Sequence, residues 1–172
     1  MAWTAPITWV VGQVVTAATM NAQVSGNLAA VASGWDRCQV TNSATQTVGT
    51  SATLLTWNVN NVITNAAMHS TSTNPSRLIA ATAGTYRYGI YLPWIPPASS
   101  TFQMRKNAAG SSTGGTLLMN WALGSFGGFA GLDNIALAAN DYVEFFATSY
   151  GTSSTLYSST TGLYADVRLV NL

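Results

Sequence analysis

The sequence predicts a β-sandwich or barrel behind a short N-terminal arm and a single helix. About ten short segments rich in branched and aromatic residues follow Trp35. Turn-rich stretches separate them, and no helical period recurs after residue 34. Charged residues make up only 6% of the 172, against roughly 25% in ordinary globular proteins. Ser, Thr, Asn, Ala and Gly fill the surface instead. That profile suits a protein docked in a large assembly. The length fits one domain with a real core and a short appendage.

Residues 1–34 form the appendage. Trp3 and Trp9 flank Pro6 in a short extended arm. Thr16 reads as the N-cap of a helix over 17–32, and Gly34 as its stop. Ala17, Met20, Val24, Leu28 and Val31 recur at three- and four-residue spacing and make one apolar stripe. With Gly26 inside, so short a helix is marginal alone, and its stripe needs a partner. The partner is its own domain, a three-helix bundle or another protein. Trp3, Trp9, Met20, Val24 and Leu28 are the candidate anchoring residues.

Residues 35–172 form the β-domain. Its expected strands are 36–42, 52–59, 62–69, 77–82, 85–94, 101–107, 116–122, 131–138, 141–149 and 163–170. Two of them carry apolar residues on both faces. On 85–94, Tyr86, Tyr88 and Ile90 oppose Arg87, Gly89 and Tyr91. On 141–149, Val143, Phe145 and Ala147 oppose Tyr142, Phe146 and Thr148. A strand apolar on both sides is normally covered on both sides. One face meets the partner sheet, and a second copy of the chain is the simplest cover for the other.

Several functions are disfavoured by composition. Net charge is +1, and only Arg105 and Lys106 are adjacent among the basic residues, so no patch for nucleic acid is visible. No apolar run reaches the ~18 residues of a membrane span. Cys38 is the one cysteine and reads as a buried thiol. The first residues lack the basic and apolar regions of a secretory signal, so synthesis and folding in a cytoplasm are expected.

Catalysis finds little support. Gly110-Ser111-Ser112-Thr113-Gly114 matches Gly-x-Ser-x-Gly, but no helix follows it and His69, the one histidine, lies upstream. Asp141 and Glu144 point to opposite faces at their odd spacing, and Asp141 reads as a turn cap. One His and one Cys cannot complete a zinc site in one chain. No catalytic residue, metal or cofactor is expected. Binding is easier to support: Trp94, Trp121, Phe126, Phe129, Tyr150 and Tyr157 lie in or beside predicted loops. Exposed aromatics of this kind stack on sugars or anchor proteins. Trp94, Phe126, Phe129 and Tyr150 are the candidate surface-binding set.

The order of the β-segments resembles the C1q/tumour-necrosis-factor jelly rolls. Gly84-Thr85-Tyr86-Arg87-Tyr88 resembles that family's Gly-x-Tyr-x-Phe strand. Phe102 to Gly110 resembles the next strand, with its Lys-Asn-Gly type of turn. Leu137-Ala138-Ala139-Asn140-Asp141-Tyr142-Val143 resembles Leu-x-x-Gly-Asp-x-Val, with Asn140 for Gly. Gly162 to Val170 resembles the closing strand, although Asp166 sits where a small residue is common. The leader resembles that of tailed-bacteriophage structural proteins: Trp9, then Gly12-Gln13-Val14-Val15-Thr16-Ala17, then Asn21-Ala22-Gln23-Val24-Ser25-Gly26-Asn27-Leu28.

Together the resemblances imply a C1q/TNF-like jelly roll, homotrimeric, preceded by an arm and one α-helix. The function implied is a non-enzymatic virion spike or fibre tip for host-surface attachment, made in the host cytoplasm. A capsid decoration protein and a free lectin-like module are the alternatives. Expected partners are further copies of the chain, virion proteins through residues 1–34, and a host-surface glycan or protein. Nucleic acid and membrane insertion are not expected. Tyr86, Tyr88, Tyr142, Phe146 and Tyr164 are the expected trimer-interface residues.

Overall fold

The alternating segments after Trp35 pair into two antiparallel sheets packed face to face. The computed structural model describes residues 8, 10–26, 36–92, 100–123, 128–151, 154–156 and 164–171. In chain order the strands are β1 Arg37–Thr41, β2 Gln46–Val48, β3 Thr53–Leu54, β4 Val59–Ile63, β5 Leu78–Ile79, β6 Gly84–Leu92, β7 Ser100–Lys106, β8 Thr116–Leu123, β9 Gly128–Leu137, β10 Tyr142–Ser149, β11 Ser154–Leu156 and β12 Tyr164–Asn171. The first sheet runs β4-β1-β12-β6-β9. The second runs β3-β10-β7-β8, with β5 also on β10, and β11 and β2 form a small ribbon.

Alternation decides which side chains the sheets enclose. The first sheet sends in Cys38, Val40, Tyr86, Tyr88, Ile90, Ala165 and Val167, and the second Phe102, Met104, Val143, Phe145 and Ala147. Trp57 meets Phe145 edge-on at 6.1 Å, and Phe102 stacks on the same ring at 5.8 Å. Cys38 lies in this core, where burial and then nearby Asp166 push its thiol up to about 12. The chain divides into two compact units, Met1–Trp35 and Asp36–Leu172.

In the first unit, Thr16 caps α1 (Ala17–Met20), its hydroxyl accepting from Thr19 N–H at 3.2 Å. From Asn21 to Gly26 the helix widens to the π pattern. The rest of the predicted helix, 27–32, falls outside the described residues.

Three strand expectations missed their bounds. Of 77–82 only Leu78–Ile79 pairs, as β5. The 52–59 segment leaves the ladder after Leu54. There the Gln46 side chain captures Thr56, accepting from its N–H and donating to its carbonyl, both at 2.9 Å. The 62–69 segment begins earlier, as β4, and closes in a 3-10 turn over Ala66–Met68 capped by Asn65. The strands β2 and β11, three residues each, are too short for periodicity to reveal.

The expected threefold use of Tyr86, Tyr88 and Phe146 is overturned by packing. Tyr86 and Tyr88 are wholly enclosed in the core of their own subunit, with hydroxyls donating to the carbonyls of Thr82 (2.7 Å) and Leu78 (3.4 Å). Phe146, on the other face of β10, is 2% exposed in the single chain. That face is covered by the chain itself and needs no second copy.

His69 closes the turn after the 3-10 segment. Its Nδ1 meets the Asn60 side-chain amide at 2.6 Å and its Nε2 the Pro75 carbonyl at 3.2 Å. A neutral ring satisfies both, donating through Nε2 and accepting from the amide nitrogen of Asn60 when that group is turned toward it. Burial lowers its pKa below 6.5, and the Pro75 carbonyl pulls weakly the other way. A lowered histidine pKa means that the unfolded chain binds the extra proton more readily. Its contribution is therefore complete above about pH 6.5 and is lost as pH falls toward the lower folded value. A melting profile from pH 7.5 to 5 should fall for the wild type and flatten for His69→Gln.

Candidate functional site

Two surfaces stand out, one built from loops and one from a sheet face. The loop surface is organised by Glu144, a carboxylate 1% exposed on β10. A buried carboxylate needs donors, and the chain supplies three. Ser76 Oγ donates to Oε1 at 2.8 Å, Gly110 N–H to Oε2 at 2.8 Å, and Arg77 Nε lies 3.4 Å from Oε1. The Arg77 guanidinium also sits 4.2 Å over the Tyr142 ring. Glu144 thus ties the segment around 76 and the β7–β8 loop to one strand.

The β7–β8 loop, residues 107–115, is held at several further points. Asn107 N–H donates to the Tyr142 carbonyl, and Tyr142 N–H to Asn107 Oδ1, both at 2.9 Å. Ala109 N–H donates to the Tyr142 hydroxyl at 3.1 Å, and Arg105 Nε to the Gly114 carbonyl at 2.9 Å. Asp141 caps the neighbouring turn as expected, accepting from Ala138 N–H at 2.9 Å and from Asn107 Nδ2 at 2.7 Å. Burial opposes its ionisation, but Lys106 at 2.7 Å and those two donors together hold its pKa below the ordinary value. Asn140 adopts φ +70°, the conformation for which the related motif uses glycine.

Ser111, at the tip of the Gly110–Gly114 stretch, places its hydroxyl 3.2 Å from that of Thr113. The nearest analogue of a catalytic pair is therefore one hydroxyl on another. Asp141, Glu144 and Asp166 are each occupied by a cation: Lys106, Arg77 and Arg37 respectively. Among the described residues no three His, Cys, Asp or Glu side chains converge as metal ligands.

The second surface is the outward face of the first sheet. Register places Tyr164 opposite Tyr91, and their partly buried rings stack at 5.8 Å. Two residues along each strand, Asp166 faces Gly89, and two further on, Arg168 faces Arg87. Tyr164 is thus on a free sheet face, whereas Tyr142 is engaged by Arg77 and Ala109. Sequence reading missed Tyr91 as the partner of Tyr164. Its signal was parity with Arg87, which marks the outward face of β6.

Of the expected surface-binding residues, Tyr150 is half exposed, 3.4 Å from the Thr101 hydroxyl. Phe129 lies on β9, paired with Tyr91. Trp121 and Leu117 stand exposed on the edge strand β8. Met20 and Val24 are exposed on the helical turns. Trp3, Trp9, Leu28, Trp94, Phe126 and Tyr157 fall outside the described residues.

No protein-family model and no curated protein matches the chain. Solved structures do. Murine APRIL aligns with a TM-score of 0.60 at 8% identity, over 78% of this chain and 98% of that one. Eiger TNF from S. frugiperda gives 0.56 at 15%, over 81% and 95%. The fold is a TNF/C1q-like jelly roll. The globular domain of zebrafish complement 1qA also matches, with a TM-score of 0.52 at 10% identity over 78% and 97%. At these identities the likeness concerns the fold, and the jelly roll's surfaces have to be read from its own residues.

Proposed function

We propose that this chain is a non-enzymatic structural protein of a tailed-bacteriophage virion. The jelly roll is a trimeric spike or fibre tip that meets the host surface, and residues 1–34 anchor it. The observation that carries the reading is the apolar leader. Val10, Val11, Val14 and Val15 all stand in solvent ahead of the Thr16 cap, followed by exposed Met20 and Val24. A run of exposed branched residues is costly in water and calls for a protein partner. It occurs in the segment that resembles phage leaders, in a unit separate from the jelly roll.

The threefold contact is assigned to the Tyr91–Tyr164 end of the outward face of the first sheet. That face leaves the Tyr91–Tyr164 pair partly exposed, while the second sheet covers β10 with its own loops. An obligate interface of roughly 2,000 Å² or more would be expected there.

Deleting residues 1–34 tests the anchor and the trimer separately. The truncated protein should sediment as a trimer at low micromolar concentration and be missing from purified particles. Normal incorporation would overturn the anchor, and a stable, well-folded monomer would overturn the trimer. Labelled protein seen on the head rather than the tail in electron micrographs would replace the fibre tip with a decoration role.

A further inference from the structure

The outward face of the first sheet carries an unusual row of charge. Strand register sets Arg37 opposite Arg168, and Arg168 opposite Arg87, across the adjacent strands β1, β12 and β6. Directly paired residues share a face, with Cα atoms about 4.5–5.5 Å apart. Their chain neighbours Cys38, Val167 and Tyr88 are buried, so all three guanidinium-bearing residues lie on the outer side. Three of the six basic residues in the chain thus occupy one row.

Like charges directly opposite one another destabilise a sheet, so this row needs negative charge. For Arg37 the chain itself supplies it. The Asp166 carboxylate, one row away, lies 3.3 Å from Arg37 Nε. At the far end Asp133 and Asn134 oppose Arg87 across the β6–β9 bulge. Arg168, in the middle, has arginine on both sides, is exposed, and has no side-chain hydrogen-bond or ion-pair partner among the described residues. The three cations of the second sheet and its loops contrast with it. Arg77 meets Glu144, Lys106 meets Asp141, and Arg105 donates to a carbonyl.

We propose that this row is an oxyanion-binding site centred on Arg168 and flanked by Arg37 and Arg87. A planar guanidinium offers two parallel N–H groups to a phosphate, sulfate or carboxylate group. Neighbouring guanidiniums add attraction that water screens only in part. The bound group relieves the lateral repulsion between Arg168 and the guanidiniums on either side of it. The site belongs to one subunit and does not depend on the threefold reading or on the virion assignment.

Titration calorimetry of the full chain with sodium sulfate, in sodium chloride of matched ionic strength, tests this. Saturable binding is expected, with one sulfate per subunit. Arg168→Gln should weaken it about tenfold or more, the loss of one charge-assisted contact. Asp166→Asn should change it in the opposite direction, because Arg37 is released to the ligand. Arg168→Gln should also fold at least as stably as wild type in sulfate-free, low-salt buffer. Sulfated dextran against neutral dextran separates the sources. Enhanced binding of the sulfated polymer points to pendant groups of an acidic glycan, and binding of free sulfate alone to a small inorganic anion. Equal affinity in wild type and Arg168→Gln, or no binding beyond the chloride control, overturns the site.

Discussion

Replacing Glu144 with alanine should destabilise the jelly roll by about 3–5 kcal/mol, the range found when one partner is removed from a buried ionic cluster. The magnitude follows from what is left behind. Ser76 Oγ and Gly110 N–H would each lose their acceptor in a site closed to water. Each orphaned group costs about 1–3 kcal/mol. Arg77 suffers less, because its side chain is a quarter exposed and keeps its place over the Tyr142 ring. Glu144→Gln retains an acceptor oxygen and should cost about 2 kcal/mol. Urea unfolding at pH 7 measures both, and amide exchange at Gly110 reports whether the loop loosens first. An alanine variant within about 0.5 kcal/mol of wild type would show that the carboxylate does not hold the loops.

Glu144 also shows how far the sequence could be read. The strands around it were legible, because aromatic and branched residues alternate over enough length to mark β6, β7 and β10. Asn140 was legible as a left-handed turn residue because its neighbours matched a motif with glycine there. The cover over β10 was not legible. Ser76 and Glu144 are 68 residues apart, and nothing local says that a serine loop will close over a carboxylate. The inference from two apolar faces to a second copy therefore failed at Phe146. It overlooked the chain's own loops as cover.

The same limit applies to β6. Alternation separated Tyr86 and Tyr88 from Arg87 and Tyr91, yet did not say which set faces the core. The charge of Arg87 was the clue, since a guanidinium is costly to bury. Reading it so would have put Tyr91, not Tyr86 or Tyr88, beside Tyr164. The arginine row was out of reach in any case. It depends on the register of three strands whose residues lie at 37, 87 and 168.

Gly115→Val should be the most damaging single change in the β7–β8 loop, costing about 3 kcal/mol or more by backbone strain and overpacking together. Gly115 sits at φ +58°, where a β-branched residue is strained. Any Cβ there would also overlap the Lys106 carbonyl oxygen and press on Asn107 at 2.7 Å, and backbone atoms cannot swing aside. Gly110→Ala is the control. It too has positive φ (+78°), but its Cβ would meet only the Leu54 Cδ2 at 3.8 Å, so about 1 kcal/mol of strain is expected. A large gap between the two in thermal unfolding assigns the effect to the collision, and equal losses would assign it to φ alone. The contrast bears on function. A loop fixed at Gly110 by Glu144 and at Gly114 by Arg105, with no room for a Cβ at Gly115, presents Ser111–Thr113 in one conformation. A partner binding there would pay little ordering entropy and would select by shape.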